Sequence, residues 1–187
     1  SAFETYFSEK RPFFIEGSDI LDYPIAEAIT GGSFTRDNLF YSRRIGRRPH
    51  GYPDTEDGEY VNVPTSTTIL GAAKLAGKTA DGWSLGILDA VTGNEHARWT
   101  AGEDWGRTPV EPLTNYFVGR LRQDFRRGDT RVGAMLTAVH RDIGDPEVDS
   151  LHHAAYTGGL DLVHFIAQRS YYLAVTVLGS QVHGSTA

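Results

Sequence analysis

The segment 67–92, TTILGAAKLAGKTADGWSLGILDAVT, limits the folds open to this chain more than any other stretch. Two runs of about ten residues alternate around a turn at Thr79-Ala80-Asp81-Gly82. On the first, Ile69, Gly71, Ala73, Leu75 and Gly77 share one side, and Leu70, Ala72, Lys74, Ala76 and Lys78 the other. On the second, Trp83, Leu85, Ile87 and Val91 oppose Ser84, Gly86, Leu88 and Thr92. A period of two broken by Asp-Gly predicts an antiparallel hairpin. Roughly ten residues is also the length of a strand that crosses a bilayer at a tilt. The segment therefore poses a choice between a half-solvated sheet and a barrel wall in lipid.

The pattern recurs twice. Along 115–125, Phe117, Gly119 and Leu121 oppose Tyr116, Arg120, Arg122 and Asp124. After a turn at Arg126-Arg127-Gly128-Asp129, residues 130–141 return with Val132, Ala134, Leu136 and Ala138 opposite Arg131, Gly133, Thr137 and Arg141. A third hairpin joins 152–166 to 170–180 through a turn near Gln168-Arg169. There Ala154, Tyr156, Gly158, Leu160 and Leu162 oppose His153, Thr157 and Asp161, and Tyr171, Leu173, Val175 and Val177 oppose Ser170, Tyr172, Thr176 and Ser180. Residues 38–46 make a seventh candidate strand, while 47–65 and 93–112, each interrupted by prolines, read as long loops. Residues 1–37 lack periodicity and form an irregular lead segment, distinct from the strands and loops of 38–187. Its Phe3, Tyr6, Phe7, Phe13 and Phe14 crowd around Pro12 and require a surface to pack on, and Ile20–Ile29 has room for one short helical turn.

Composition narrows the partners. A net charge of −6 over 187 residues gives no bulk attraction to nucleic acid. The absence of cysteine excludes disulfides and thiolate metal sites. No charged leader followed by an apolar core is visible, and no apolar run is long enough for a transmembrane helix. A membrane barrel stays open, because its alternating strands keep overall hydropathy low.

Three patterns favour lipid. Short turns (79–82, 126–129, 167–169) alternate with long connections (93–112, 142–151), as in up-and-down outer-membrane barrels. Aromatics collect at both strand ends: Trp83, Phe125, Phe165, Tyr171 and Tyr172 near the short turns, and Trp99, Trp105, Tyr116, Phe117 and Tyr156 near the long connections. The polar side carries Lys74, Lys78, Arg120, Arg122, Asp124, Arg131, Arg141 and Asp161, which suit a watery lumen better than a dry core. The predicted fold is all-β, an antiparallel up-and-down meander of hairpins forming part of a transmembrane β-barrel. Those eight residues are the candidate lumen-facing binding groups, and their cations favour anionic or hydroxyl-rich solutes such as saccharides. A soluble ligand-binding β-barrel is the alternative without a membrane.

Catalytic and metal motifs are weak by comparison. His152 and His153 are adjacent and point to opposite sides of a strand, and no His-x-x-x-His spacing exists. Glu9, Glu16 and Asp19 beside Arg11 offer a glycosidase-type acid/base pair, against which a structural ion-pair cluster is the stronger reading. Asp54, Glu56, Asp57 and Glu59 read as a solvated acidic loop, without the spacing of an EF-hand. Gly71, Gly77 and Gly86 lie inside strands and precede no helix, so they make no phosphate loop. No metal or cofactor is expected, and a non-enzymatic role is favoured over a surface hydrolase.

The wording of several stretches is itself informative. EKRPFFIEGSDI (9–20), LFYSRRIGR (39–47), GAAKLAGKTADGWSLGIL (71–88) and EPLTNYFVGRLRQDF (111–125), followed by GGLD (158–161) and SQVHGS (180–185), resemble the barrel region of a bacterial family catalogued as domain of unknown function 5916. The resemblance implies a location in the bacterial outer membrane, with the lipid bilayer and the remaining strands of a parent barrel as partners. It also implies a link to carbohydrate, since members carry a family-9-like carbohydrate-binding sandwich ahead of the barrel and some are labelled membrane-associated hydrolases. Against that plan the chain reads as an excised piece, lacking the sandwich and a terminal aromatic strand.

Overall fold

The computed structural model describes residues 7–23, 25, 38–53, 60–144, 148 and 150–184. Its main feature is a six-stranded antiparallel sheet. The strands are β2 (Ile69–Lys78), β3 (Trp83–Thr92), β6 (Leu113–Phe125), β7 (Thr130–Asp142), β8 (Ala154–Ile166) and β9 (Tyr171–His183), paired in that order. All three predicted hairpins are present, and the chain is all-β with few helices. The sheet is open: β2 and β9 are its edges, and no closed barrel is formed among the described residues.

The register fixes which side chains share a face. Lys74, Leu88, Val118 and Thr137 stand in one cross-strand row, and Lys78, Ser84, Arg122, Gly133, Asp161 and Thr176 in another. The opposite face carries Leu75, Ile87, Gly119, Leu136, Gly158 and Gly179 in one row. Two of the tight turns reverse through three successive residues with positive φ, Arg126-Arg127-Gly128 and Ala167-Gln168-Arg169. In the first hairpin, Gly82 (φ +86) does this work, and a Cβ there would lie 2.5 Å from the Asp124 carbonyl.

The lead segment lies across the first of these faces, hereafter the inner face. It holds a four-residue helix, α1 (Pro12–Ile15), and a 3-10 turn at Ser18–Ile20. Phe14, Leu21, Tyr23 and Ile45 pack against Leu88, Ala90, Tyr116, Val118 and Met135 to make the core. Those sheet residues sit on the parity that carries the charges, so the inner face is apolar in its centre and ionic around it. Phe7 and Phe13 remain exposed. Phe3, Tyr6, the 26–37 stretch and the acidic loop at 54–59 lie outside the described residues.

Two expectations fail. Residues 38–46 do not form a strand; they turn through a 3-10 segment at Ser42–Arg44. The Arg11 guanidinium takes the main-chain carbonyls of Ile45 and Ser42 at 2.7 and 3.0 Å, and the Glu9 carboxylate takes the Ser42 hydroxyl, so the acceptors a sheet would need are spent on a side chain. The second failure is the 93–112 connection, which is a hairpin rather than a loop. Its strands β4 (Glu95–Ala101) and β5 (Asp104–Glu111) join β1 (Tyr60–Asn62), which overturns the all-loop reading of 47–65 as well, in a separate three-stranded sheet of order β1-β4-β5. Pro109 suggests a loop, but β5 is an edge, where a missing N–H costs nothing.

Candidate binding site on the inner face of the sheet

The eight charged residues singled out in the sequence share the inner face, but the structure divides them by use. Lys74 donates to the carbonyls of Phe13 and Glu16, with its ammonium 5.1 Å from the Phe13 ring centroid. Lys78 pairs with Asp19 at 2.9 Å. Both lysines therefore hold the lead segment to β2. Arg141 lies toward the other end of the sheet, where it donates to the His152 carbonyl at 3.0 Å.

The remaining five cluster. Arg120 crosses β7 to meet Asp161 on β8 at 2.5 Å and is only 5% exposed. It can do so because the intervening residue is Gly133, where a Cβ would lie 2.5 Å from Asp161 Oδ1 and 2.7 Å from an Arg120 nitrogen. The guanidinium also stacks on the Tyr23 ring at 4.6 Å. Tyr23 in turn fits because of Gly159, whose Cβ would come within 2.6 Å of the phenol oxygen. On β3, on the far side of β6, Gly86 leaves room for Ile20 and Leu21. Three inner-face glycines thus seat the lead segment and the ion pair at backbone level.

Beside this pair is a cavity of about 460 Å³, bounded by Asp19, Asp22 and Tyr23 of the lead segment and by Arg120, Arg122, Arg131, Asp161 and Thr176 of the sheet. Arg122 Nε is buried without a hydrogen-bond partner and stands 3.7 Å from Asp124 Oδ1. The Arg131 side chain lines the same recess and has no hydrogen bond or ion pair among the described residues. The Tyr23 hydroxyl is also unpartnered although the residue is 1% exposed. The arrangement offers two cationic donors, one phenolic donor and carboxylate acceptors in one polar recess.

The carboxylates weighed for acid/base work each have a different use. Burial pushes Glu9 up, but hydrogen bonds from the Arg11 side chain and main chain and from Ser42 outweigh it and hold the carboxyl at about 2. Asp19 is held below its ordinary value chiefly by the hydrogen bond from Lys78. Glu16 contributes its main-chain carbonyl to Lys74. These contacts build an anchor for the lead segment, with no pair of free carboxylates for hydrolysis among them.

A second polar pair was not visible in the sequence. Glu111 of β5 is buried, and receives the His50 main-chain N–H at 2.8 Å, with His50 Nδ1 at 2.6 Å. Burial raises its pKa, and the side-chain and main-chain hydrogen bonds from His50 more than reverse this. The pair fastens 50–51 to the small sheet, where Gly51 also donates to the Val110 carbonyl. Elsewhere His140 Nε2 meets the Tyr156 hydroxyl at 2.6 Å, and His164 Nδ1 meets Thr130 at 2.9 Å.

A family model described as Domain of unknown function (DUF5916) matches residues 1–149, so the chain belongs to that family. No curated protein and no solved structure matches it.

Proposed function

We propose that this member of the DUF5916 family is a wall segment of a bacterial outer-membrane β-barrel, with its outer face toward lipid and its inner face handling a polar solute. The observation that carries the reading is the outer face itself. From Leu75 through Leu85, Leu121, Leu136, Leu160 and Val177 it exposes large apolar side chains on all six strands, with Leu75 and Leu160 each 61% exposed. Soluble monomers seldom expose a contiguous apolar patch beyond a few hundred Å². Charged residues on this parity, Asp89 and Asp142, stand toward the end with the long connections, and Asn115 donates to both Asp89 oxygens at 3.1 and 3.3 Å.

Length and rims support the same reading. A thirteen-residue strand such as β7 spans roughly 43 Å along its axis at about 3.3 Å per residue. Tilted by about 40°, it still rises more than the apolar band of about 25 Å. Trp83, Phe125 and Tyr171 lie at the short-turn end of the outer face, and Phe117 and Tyr156 near the other; of the remaining end-placed aromatics, Tyr116, Phe165 and Tyr172 are on the inner parity and Trp99 and Trp105 on the small sheet, so the rims are thinner than the sequence suggests. No helix among the described residues is long and apolar enough to cross a membrane, which leaves strands as the crossing elements. The unpaired edges of β2 and β9 call for further strands of a parent barrel. The lead segment on the inner face argues for a constricted interior, and the arginine-lined recess for an anionic or hydroxyl-rich solute, including saccharides.

The test uses Trp99→Phe/Trp105→Phe protein, in which Trp83 is the single indole. Reconstituted into vesicles of brominated phosphatidylcholine, Trp83 fluorescence is expected to be quenched. Unquenched Trp83 in a chain that is monodisperse without detergent would overturn the membrane reading.

A further inference from the structure

We infer that the recess between Tyr23 and β6–β9 is a binding site for a small polyhydroxylated monoanion, of the sugar-acid type. The inference deepens the solute reading above and rests on the inner face alone, so it does not require the outer face to meet lipid. Its size fits: about 460 Å³ lies within the usual range of small-molecule pockets.

The chemistry of the lining selects the ligand. Two groups near the recess are buried and unsatisfied, the Tyr23 hydroxyl and Arg122 Nε. Buried polar atoms of this kind ordinarily have partners, and an orphan that lines a cavity marks where a ligand atom or water sits. Arg131 also lines the recess and is engaged by nothing among the described residues. Arg122 and Arg131 are the donors for one carboxylate, the planar geometry that guanidinium groups match best. Asp22, Asp161 and Thr176 supply acceptors, which hydroxyl groups satisfy and a bare inorganic anion does not. The carboxylates also set the charge. Three arginines and three aspartates line the recess, so no surplus of positive charge is left for a second anionic group, while one carboxylate can lie at Arg122 and Arg131 with its neighbouring hydroxyls toward the aspartates. Tyr23 borders the recess with its ring held against Arg120 and its hydroxyl without a partner.

The experiment is ligand-observed saturation-transfer NMR and titration calorimetry on the 187-residue chain, in detergent micelles or plain buffer, whichever keeps its near-UV circular dichroism. The probes are D-glucuronate, D-glucose and inorganic phosphate. Glucuronate is expected to bind at least tenfold more tightly than glucose and more tightly than phosphate. Arg131→Gln is expected to weaken glucuronate by about tenfold or more, with glucose unaffected, and Tyr23→Phe by a few-fold, following the usual strengths of charged and neutral hydrogen bonds. Arg107→Gln, on the small sheet, is the control and leaves binding unchanged. Equal binding of glucose and glucuronate, tighter binding of phosphate, or undiminished binding in a folded Arg122→Gln/Arg131→Gln double variant overturns the site. So does the absence of binding by the folded chain at millimolar glucuronate. Quenching of Trp83 by brominated lipid with no glucuronate binding would remove this inference and keep the wall; the reverse result would remove the wall and keep the site.

Discussion

The two faces of one sheet have been built by opposite rules. On the inner face, glycines stand where other side chains press in, most charges outside the recess have partners, and a core closes over Leu88, Val118 and Met135. On the outer face, a Cβ at Gly71, Gly77 or Gly179 would have nothing within 4 Å, and leucines and valines stand exposed with no segment packed over them among the described residues. Because successive residues of a strand alternate sides, these two regimes occupy the same strands one residue apart. Gly158 and Gly159 are the sharpest case: the first is nearly clear, the second is crowded by Tyr23 and Leu178. The lesson is that packing density, rather than polarity, separates the faces. The inner side is the protein's interior even though it carries most of the charge.

The contrast can be broken most severely from the inner side. Asp161→Asn strands the almost fully buried Arg120 without its counter-charge, and is expected to destabilise the chain by about 3–5 kcal/mol in urea unfolding. A loss below about 1 kcal/mol would mean that the pair is solvated. Next comes Leu136→Arg on the outer face, half exposed and mid-strand. Refolded into vesicles it should cost about 2–4 kcal/mol, the penalty for a cation near the bilayer midplane. An effect within about 0.5 kcal/mol, the usual range at a water-facing site, would reverse the assignment of that face. Third is the glycine pair. Gly159→Ala should cost about 1–3 kcal/mol by overpacking and loosen the lead segment to protease, while Gly179→Ala should be neutral or slightly stabilising. Equal effects at both would erase the difference between the faces.

A pH titration sharpens the comparison more gently. Glu9 has its pKa depressed on folding, so its contribution is complete above the ordinary value of 4.5 and fades as pH falls toward about 2. Amide exchange across 9–16 is expected to accelerate in that window, ahead of exchange in β6 and β7. Arg11→Gln should remove the acid step, and simultaneous exchange of both regions would show that the lead segment has no separate release. The smallest effect belongs to Lys78→Met, since the pair with Asp19 is largely solvent-exposed; about 0–1 kcal/mol is expected.

Strand positions and faces were legible because period-two alternation survives the fold intact: Phe117 and Arg120 lie on the sides their parity assigns. What covers the polar side was harder to read, yet a signal existed. Leu88, Tyr116, Val118 and Met135 interrupt that side with apolar bulk at its centre, and Gly86, Gly133 and Gly159 punctuate it with gaps. A row that is charged at its margins and apolar in its middle describes a seat for another segment. The two lysines show the same limit. Lys74 and Lys78 have the expected side, but their partners are main-chain carbonyls and a carboxylate sixty or so residues earlier, which spacing cannot reveal. The small sheet was hidden because β5 mixes polar and apolar residues on both sides and contains a proline, while β4 offers only seven residues of alternation, with His96, Arg98 and Thr100 on its exposed side. Gly106 alone hinted at contact, since it lets the Trp99 indole lie flat across the strand.

The hydrogen bonds from Lys74 to Phe13 and Glu16 span 61 and 58 residues. They impose an order in time. The lead segment leaves the ribosome before any strand that receives it, and its binding surface exists only once β3, β6 and β7 have paired. Until then Phe13, Phe14 and Leu21 belong to an undocked stretch that carries aromatics with nowhere to place them, the kind of exposure that invites capture by chaperones or by other chains. The residues that seat on the sheet are therefore made before their seat exists, and the rate at which the hairpins register sets how long they wait.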